Sequence, residues 1–125
     1  MAAVKVPSPP AGTKASGRRL WRSVLVEYEC EEHELALLRE MVRTADKLDE
    51  LAAVVDRDGV MVPGPGLTTR VHPALVEARQ LRIAFARLAA ALRLPSGDEN
   101  DPAQNRRPQR RVGVRGFYGP RGLVS

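Results

Sequence analysis

Few residues in this sequence have the type and spacing needed for bond-making chemistry. The two histidines, His33 and His72, lie 39 positions apart, and Cys30 is the only cysteine. Catalysis requires acids, bases or a metal that converge on one point, and a zinc site built from these three residues lacks a fourth ligand. Walker, Rossmann and nucleophile-elbow motifs are absent from the sequence. The residue types therefore predict a protein that is not an enzyme, holds no metal or cofactor and takes no small-molecule substrate.

The basic residues offer a different chemistry, the binding of phosphate. The net charge is +5, but residues 1–23 contain five basic side chains and no acid, whereas residues 24–97 contain nine bases and twelve acids. Basic ends on a mildly acidic body favour a polyanion partner, most often nucleic acid, although a solubilising role is the alternative. The residues predicted to face DNA are Lys5, Lys14, Arg18, Arg19 and Arg22.

A second basic segment lies at the other end of the chain. Residues 98–125 contain six arginines and three acids, and the stretch RRPQRRVGVRGFYGPRG has neither a helical nor a strand period. Such a segment can fold on a protein partner or stack its aromatic rings on bases; the alternative is a disordered tail with two incidental aromatics. The residues predicted to contact a protein partner or DNA are Arg106, Arg107, Arg110, Arg111, Arg115, Phe117 and Tyr118.

Composition divides the chain into three parts. Residues 1–16 are rich in proline and lysine and are predicted to form a flexible basic arm, and residues 96–125 a disordered tail rich in arginine, glycine and proline. Residues 17–95 remain as a helical oligomerisation domain, because a core this small is marginal alone. No apolar run approaches the roughly 20 residues of a membrane span, and the N-terminus lacks an apolar signal core. We therefore expect a soluble intracellular protein.

The DNA-facing side chains must be positioned by helices, and the longest is predicted over Glu31–Val55. Its apolar residues recur at steps of three and four, which gives one stripe on a helix. Carboxylates crowd its first turn, which suits the helix dipole, and Gly59 offers a left-handed cap at its end. Its other charged residues are predicted to pair across a repeated subunit contact: Arg39, Arg43 and Lys47 with Glu40, Asp46, Asp49 and Glu50.

Two shorter helices are predicted to pack on this long one. The first covers Gly17–Glu29, capped by Ser16, and Trp21 anchors it, either as plain core or as a base-stacking ring. A PGPG sequence then indicates a small hairpin or extended loop. Pro73 opens a third helix that runs to about Arg93 and lies antiparallel to the long helix, since the connection is short. The predicted fold is all-α.

The order of these motifs resembles the small subunit of phage terminases, of the type found in tailed phages and prophages of actinobacteria. The resemblance covers about Gly17 to Pro95. The residues that carry it are Leu20-Trp21, Thr44 with Asp46 to Leu48, Asp58-Gly59, and Val71-His72-Pro73 with Glu77 and Arg79. A separate N-terminal helix-turn-helix, present in some of these subunits, has no counterpart here.

The resemblance implies a non-enzymatic helical protein that assembles into rings in the host cytoplasm. It would bind double-stranded viral DNA at the packaging start and recruit and regulate the large terminase subunit, whose ATPase and nuclease do the work. Two alternatives stay open. One is a generic small helical DNA-binding regulator, which would be a dimer. The other is a phage assembly adaptor that does not bind DNA.

Overall fold

The computed structural model of this protein describes residues 5–94, which form three helices and a small antiparallel sheet. This confirms the predicted mostly helical architecture and its hairpin. None of the helices in this part of the chain is long and apolar enough to cross a membrane. In chain order the elements are α1 (Ala15–Glu27), α2 (Glu32–Asp58), β1 (Met61–Pro63), β2 (Thr69–Val71) and α3 (Pro73–Leu92).

Helix α2 is fixed at its start by a capping box. The Glu31 side chain accepts the backbone N–H of Glu34, and the Glu34 side chain accepts the backbone N–H of Glu31, so two orphan donors are satisfied. At its end the N–H of Gly59 donates to the Val55 carbonyl at 2.7 Å. Gly59 has a positive φ of 85°, which glycine adopts without steric cost, but its ψ of 165° is extended. The predicted glycine cap with a positive φ is therefore confirmed, but ψ differs from the αL value because the chain leaves α2 directly into β1.

The hairpin and α3 follow directly. Met61 pairs with Val71 and Pro63 with Thr69, and Gly66 takes a positive φ of 64° in the turn between the strands. Pro73 occupies the first turn of α3, where its missing N–H costs nothing. Asp58 at the end of α2 contacts His72 at the start of α3. Since Leu92 at the other end of α3 joins the core with Leu38 of α2, the two helices are antiparallel, as predicted.

Helix α1 starts earlier than predicted. It begins at Ala15, and Ser16 lies inside it, so Ser16 is not the cap. The residue before the helix, Lys14, makes no side-chain cap, because an ammonium group has no acceptor, and a residue of another helix supplies the acceptor instead. The chain leaves α1 at Tyr28, whose backbone is extended, and α2 begins four residues later at Glu32.

The core lies at one end of the molecule. Here α1, the first half of α2 and the end of α3 meet, and Trp21 is plain core, which was one of its two predicted roles. The remaining half of α2 packs mainly on the start of α3, where Ala74 and Ala78 are buried, and most of the other apolar residues there are half-buried. The fully packed cluster consists of Trp21, Val24, Leu25, Tyr28, Leu38, Met41, Val42 and Leu92.

The segment from residue 5 to residue 14 has no regular secondary structure, but it lies against the helices. The indole N–H of Trp21 donates to the Pro7 carbonyl at 2.8 Å, and Val6 packs on the core cluster. Prolines have a fixed φ, so ordering such a segment costs less conformational entropy than ordering an ordinary chain. The flexible arm predicted up to residue 16 is thus not free along this stretch. The predicted tail at 96–125 lies outside the described residues.

Candidate nucleic-acid interface

Three of the predicted DNA-facing residues form one surface, which we call the arginine face: Arg18, Arg19 and Arg22. They are spaced by three and four positions, so they share one side of α1. Gly17, Trp21, Val24 and Leu25 of the same helix are buried towards the core. All three arginine side chains are exposed. The packing of α1 therefore points its basic side to solvent.

The charge of the arginine face is not neutralised by neighbouring acids. Arg18 donates from its guanidinium to the Thr13 carbonyl at 2.6 Å, and Arg19 donates to the Ser16 hydroxyl at 3.0 Å. Across residues 5–94, neither these two nor Arg22 makes an ion pair. A guanidinium has five N–H donors, so each arginine retains donors for a phosphate.

An aspartate on α2 holds the start of α1 in place. One carboxylate oxygen of Asp46 accepts the N–H of Lys14 and the other accepts the N–H of Gly17, both at 2.7 Å. Asp49, one turn later, accepts the hydroxyl of Ser16. A Cβ on Gly17 would lie 2.5 Å from the Asp46 carboxylate, so only glycine allows this approach. These contacts fix the arginine face relative to the long helix.

The same contacts change the predicted role of Lys14. Because Asp46 already occupies the positive end of α1, an anion there would have to displace a carboxylate. The Lys14 side chain lies in a groove of about 350 Å³ together with Asp46, Lys47 and Glu50. A hydrogen bond from Lys47, with smaller help from Lys14, lowers the pKa of Glu50. Lys14 thus lines a groove of mixed charge, with the carboxylates of Asp46 and Glu50 and the cations of Arg43 and Lys47, and is separate from the arginine face.

Lys5, the remaining predicted DNA contact in the described part of the chain, is exposed beside Val6. It makes no hydrogen bond or ion pair with the arginine face. Of the five residues predicted as one DNA-facing set, the three arginines therefore form one surface, and the two lysines lie apart from it. The seven predicted residues of the C-terminal tail, 106–118, lie outside the described residues.

The charged residues of α2 pair within the chain. Within one chain, residues one or two turns away on the same helix supply the partners of these charges, and their predicted pairing across a subunit contact stays a prediction. These pairs are solvent-exposed and contribute little to stability. They are Arg39 with Glu32 at 3.2 Å, Arg43 with Glu40, and Lys47 with Glu50 at 3.1 Å.

His72 and Asp58 lie 2.9 Å apart and superficially resemble a catalytic pair. However, Nδ1 of His72 accepts the N–H of Ala74 at 3.0 Å, so the ring proton is on Nε2 and points to Asp58. Both ring nitrogens are therefore engaged, and neither is left to act as a base. Hydrogen bonds from Arg57 and then from His72 hold the pKa of the Asp58 carboxyl well below its usual range. The pair caps α3 and ties it to the end of α2.

Cys30 has the properties of an inert thiol. It is half-buried against the core cluster, and this burial, with the Glu34 carboxylate as a smaller cause, raises its pKa to about 11. The thiolate, the reactive form, is therefore scarce at neutral pH. Glu31, His33 and Glu34 cluster closely enough to share a cation. Both carboxylates of that cluster already serve the capping box of α2.

Sequence reasoning missed Asp46, Asp49 and Asp58 as positioning residues. One signal for Asp46 was available, since glycine inside a helix often marks a close approach of another group, and Gly17 is such a glycine. His72 was correctly placed at the mouth of the third helix, but its bond to Asp58 was not foreseen.

Comparisons with protein-family models, with curated proteins and with solved structures found no match for this chain.

Proposed function

We propose that this chain is the small terminase subunit of a tailed phage. In this role it binds double-stranded viral DNA at the packaging start and recruits and regulates the large ATPase and nuclease subunit. It works as a ring-shaped homo-oligomer in the host cytoplasm and catalyses no reaction itself. The order of sequence motifs from Gly17 to Pro95 suggests the family.

The observation that carries the DNA-binding part of the proposal is the arginine face of α1. Three exposed arginines, which make no ion pair within residues 5–94, lie on one side of a helix whose start is clamped by Asp46. Arginine is suited to phosphate because its planar fork matches two phosphate oxygens. Repeated around an oligomer, three weak contacts per subunit add up to tight, salt-dependent binding.

The assembly part of the proposal is supported by the exposed apolar side chains. Val76 and Ile83, seven residues apart on α3, are 44% and 45% exposed and lie on the side away from α2. Together with a core confined to one end, they leave apolar surface that a neighbouring subunit can cover. A head-to-tail contact between such surfaces gives a ring when its rotation closes on itself.

The arginine face is tested by reversing its charge. A variant with Arg18→Glu, Arg19→Glu and Arg22→Glu should bind DNA more weakly. The slope of log affinity against log salt should fall by about 0.9 for each phosphate that the variant no longer neutralises. The matched control reverses three exposed arginines of α3, Arg79, Arg82 and Arg87, which changes the net charge equally. An equal loss of affinity in both variants would show that only net charge matters, and an unchanged slope in the α1 variant would remove the arginine face from the interface.

The terminase role is tested with a candidate large subunit. Its ATPase activity should change when this chain is added, and a chain ending at residue 97 should lose that effect if the arginine-rich tail makes the contact. Light scattering on the same sample gives the oligomer mass. A dimer that binds DNA without affecting any motor protein would favour the generic regulator instead, and a chain that assembles without binding DNA would favour the adaptor.

A further inference from the structure

Within the described chain, no helix packs extensively on the hairpin of β1 and β2. Four large apolar side chains of the strands and their flanking residues are exposed. They are Val60, Met61, Leu67 and Val71, with 56%, 51%, 105% and 51% exposure. Each strand has only three residues. A two-stranded hairpin is at best marginally stable unless a further strand or a helix packs against it. A neighbour on one of its edges would therefore stabilise it.

The hydrogen bonds of the hairpin show which backbone groups face outwards. The N–H of His72 donates to the Val60 carbonyl at 2.7 Å, and the N–H of Gly64 donates to the Thr68 carbonyl at 2.9 Å. In an antiparallel ladder the direction alternates along each strand. The backbone groups of Met61 and Pro63 thus face the outer edge of β1, and those of Thr69 and Val71 face the outer edge of β2.

The two outer edges differ in their capacity to pair. Pro63 has no N–H, and proline is a common device that blocks an edge strand from pairing. The edge of β2 has no such protection: Thr69 and Val71 each present a donor and an acceptor, and both residues are exposed. The hairpin is therefore open to strand addition on the β2 side.

The chemistry of this open edge fits a second copy of the same chain. Arg70 is the only charged residue from Gly59 to Val71, so the ribbon offers little to a polyanion or to a charged peptide. Among the described residues, each copy has a single open edge. If two β2 strands pair, both open edges are used, and only the proline-blocked edges remain outside, so the assembly closes instead of growing into a filament.

We infer that β2 pairs antiparallel with β2 of a second copy about a two-fold axis, which makes a four-stranded sheet in the order β1-β2-β2-β1. With the outward groups of Thr69 facing those of the partner's Thr69, Val71 approaches the partner's Leu67. A register that pairs Thr69 with the partner's Val71 places Arg70 opposite the partner's Arg70, which repels. A register centred on Val71 places Thr69 opposite the partner's Pro73, which has no N–H and lies in α3. The Thr69-centred register is therefore favoured.

This contact is distinct from the proposed DNA-binding and ring contacts. It uses the hairpin at the far end of the helices, whereas the arginine face lies on α1 beside the core. In a simple dimer the contact joins two chains, and in a ring it joins two rings. Either way, its loss halves the mass of the particle, and DNA binding by the arginine face is measured separately.

The test exploits two cross-strand partners of equal exposure, Val71 and Met61. Val71→Pro removes an outward N–H from the open edge of β2, and Met61→Pro removes the corresponding N–H from the blocked edge of β1. Neither N–H takes part in the bonds between β1 and β2. Sedimentation of the full chain at micromolar concentrations should give half the wild-type mass for Val71→Pro and the wild-type mass for Met61→Pro, with unchanged helical circular dichroism in both.

A cross-link provides a second measurement that does not depend on proline. Strand residues that exchange both hydrogen bonds have Cα atoms about 5.5 Å apart, which suits a disulfide. In a Cys30→Ser background, Thr69→Cys should therefore oxidise to a covalent dimer, and Met61→Cys should not. The inference is overturned if the wild-type chain is a monomer, if Val71→Pro keeps the wild-type mass, or if both proline variants lose mass equally. A monomer that binds an extended peptide at β2 would assign the edge to a different partner.

Discussion

The single substitution Asp46→Ala removes the hydrogen-bond acceptors of two backbone N–H groups at the start of α1. Both hydrogen bonds are 2.7 Å long, and Lys14 offers no side-chain cap to replace them. Loss of an N-cap typically costs about 0.5–2 kcal/mol, and hydrogen bonds to a charged acceptor are stronger than neutral ones. The bond to Gly17 is partly buried and that to Lys14 is exposed, so we expect Asp46→Ala to lower the free energy of unfolding by about 2 kcal/mol.

For a folded body of this size, that loss corresponds to a Tm lower by roughly 8–16 °C. Thermal and urea unfolding followed by circular dichroism measure it, and Trp21 fluorescence reports on α1 directly because the ring is buried on that helix. The matched control is Asp49→Ala, which removes only the bond from the exposed Ser16 hydroxyl and should cost less than about 0.5 kcal/mol. Equal effects of the two alanine variants would refute the assignment of Asp46 as the clamp.

Gly17 provides an independent check of the same geometry. A Cβ at this position would lie 2.5 Å from the Asp46 carboxylate and 2.7 Å from the Thr13 methyl group, so Gly17→Ala should destabilise the wild-type chain. In the Asp46→Ala background the first of these clashes is absent, and the substitution should cost less. The double variant should therefore be more stable than the sum of the two single effects. Strict additivity would show that Gly17 and Asp46 do not meet.

Two further predictions concern titration and reactivity. The hydrogen bonds from Arg57 and His72 lower the folded-state pKa of Asp58. The ionised Asp58 carboxylate therefore stabilises the fold above the ordinary aspartate pKa of about 4. This stabilisation is lost as the pH falls through the lower pKa of the folded state. Urea unfolding of Asp58→Asn should thus depend less on pH below about pH 5 than the wild type does, and parallel curves would contradict this. Because its pKa is raised from 9.0 to about 11, Cys30 should react with iodoacetamide at pH 8 about a hundredfold more slowly in the folded chain than in urea, and equal rates would contradict its burial.

The local parts of the fold were predictable because their signals are local. The apolar stripe of α2, the PGPG turn and Pro73 at the start of α3 each act through neighbours within a few positions, and the structure confirms the elements that they predicted. The antiparallel arrangement of α2 and α3 follows from the short connection between them. These features required no knowledge of the rest of the molecule.

The missed features all depend on contacts between residues far apart in the chain. The cap of α1 comes from Asp46, 29 and 32 positions away from the groups that it binds, so the nearby Ser16 was the natural but wrong choice. The irregular segment at residues 5–14 is held by an indole bond from Trp21 to Pro7, which no periodicity reveals. At the candidate site the arginine face was predictable from spacing, whereas the placement of Lys14 in a groove of mixed charge beside α2 depends on how α1 docks on α2.

The one-sided core also implies that the molecule opens unevenly. Backbone amides exchange with solvent through local unfolding, whose free energy follows the burial around each segment. Amides near Leu38 and Val42, which are fully buried, should exchange only on global unfolding, whereas those of the hairpin should exchange through small openings. The two ends of the α2–α3 pair therefore differ in local stability although the same two helices run through both. A partner that covers the hairpin would slow exchange there first and leave the already protected core end almost unchanged.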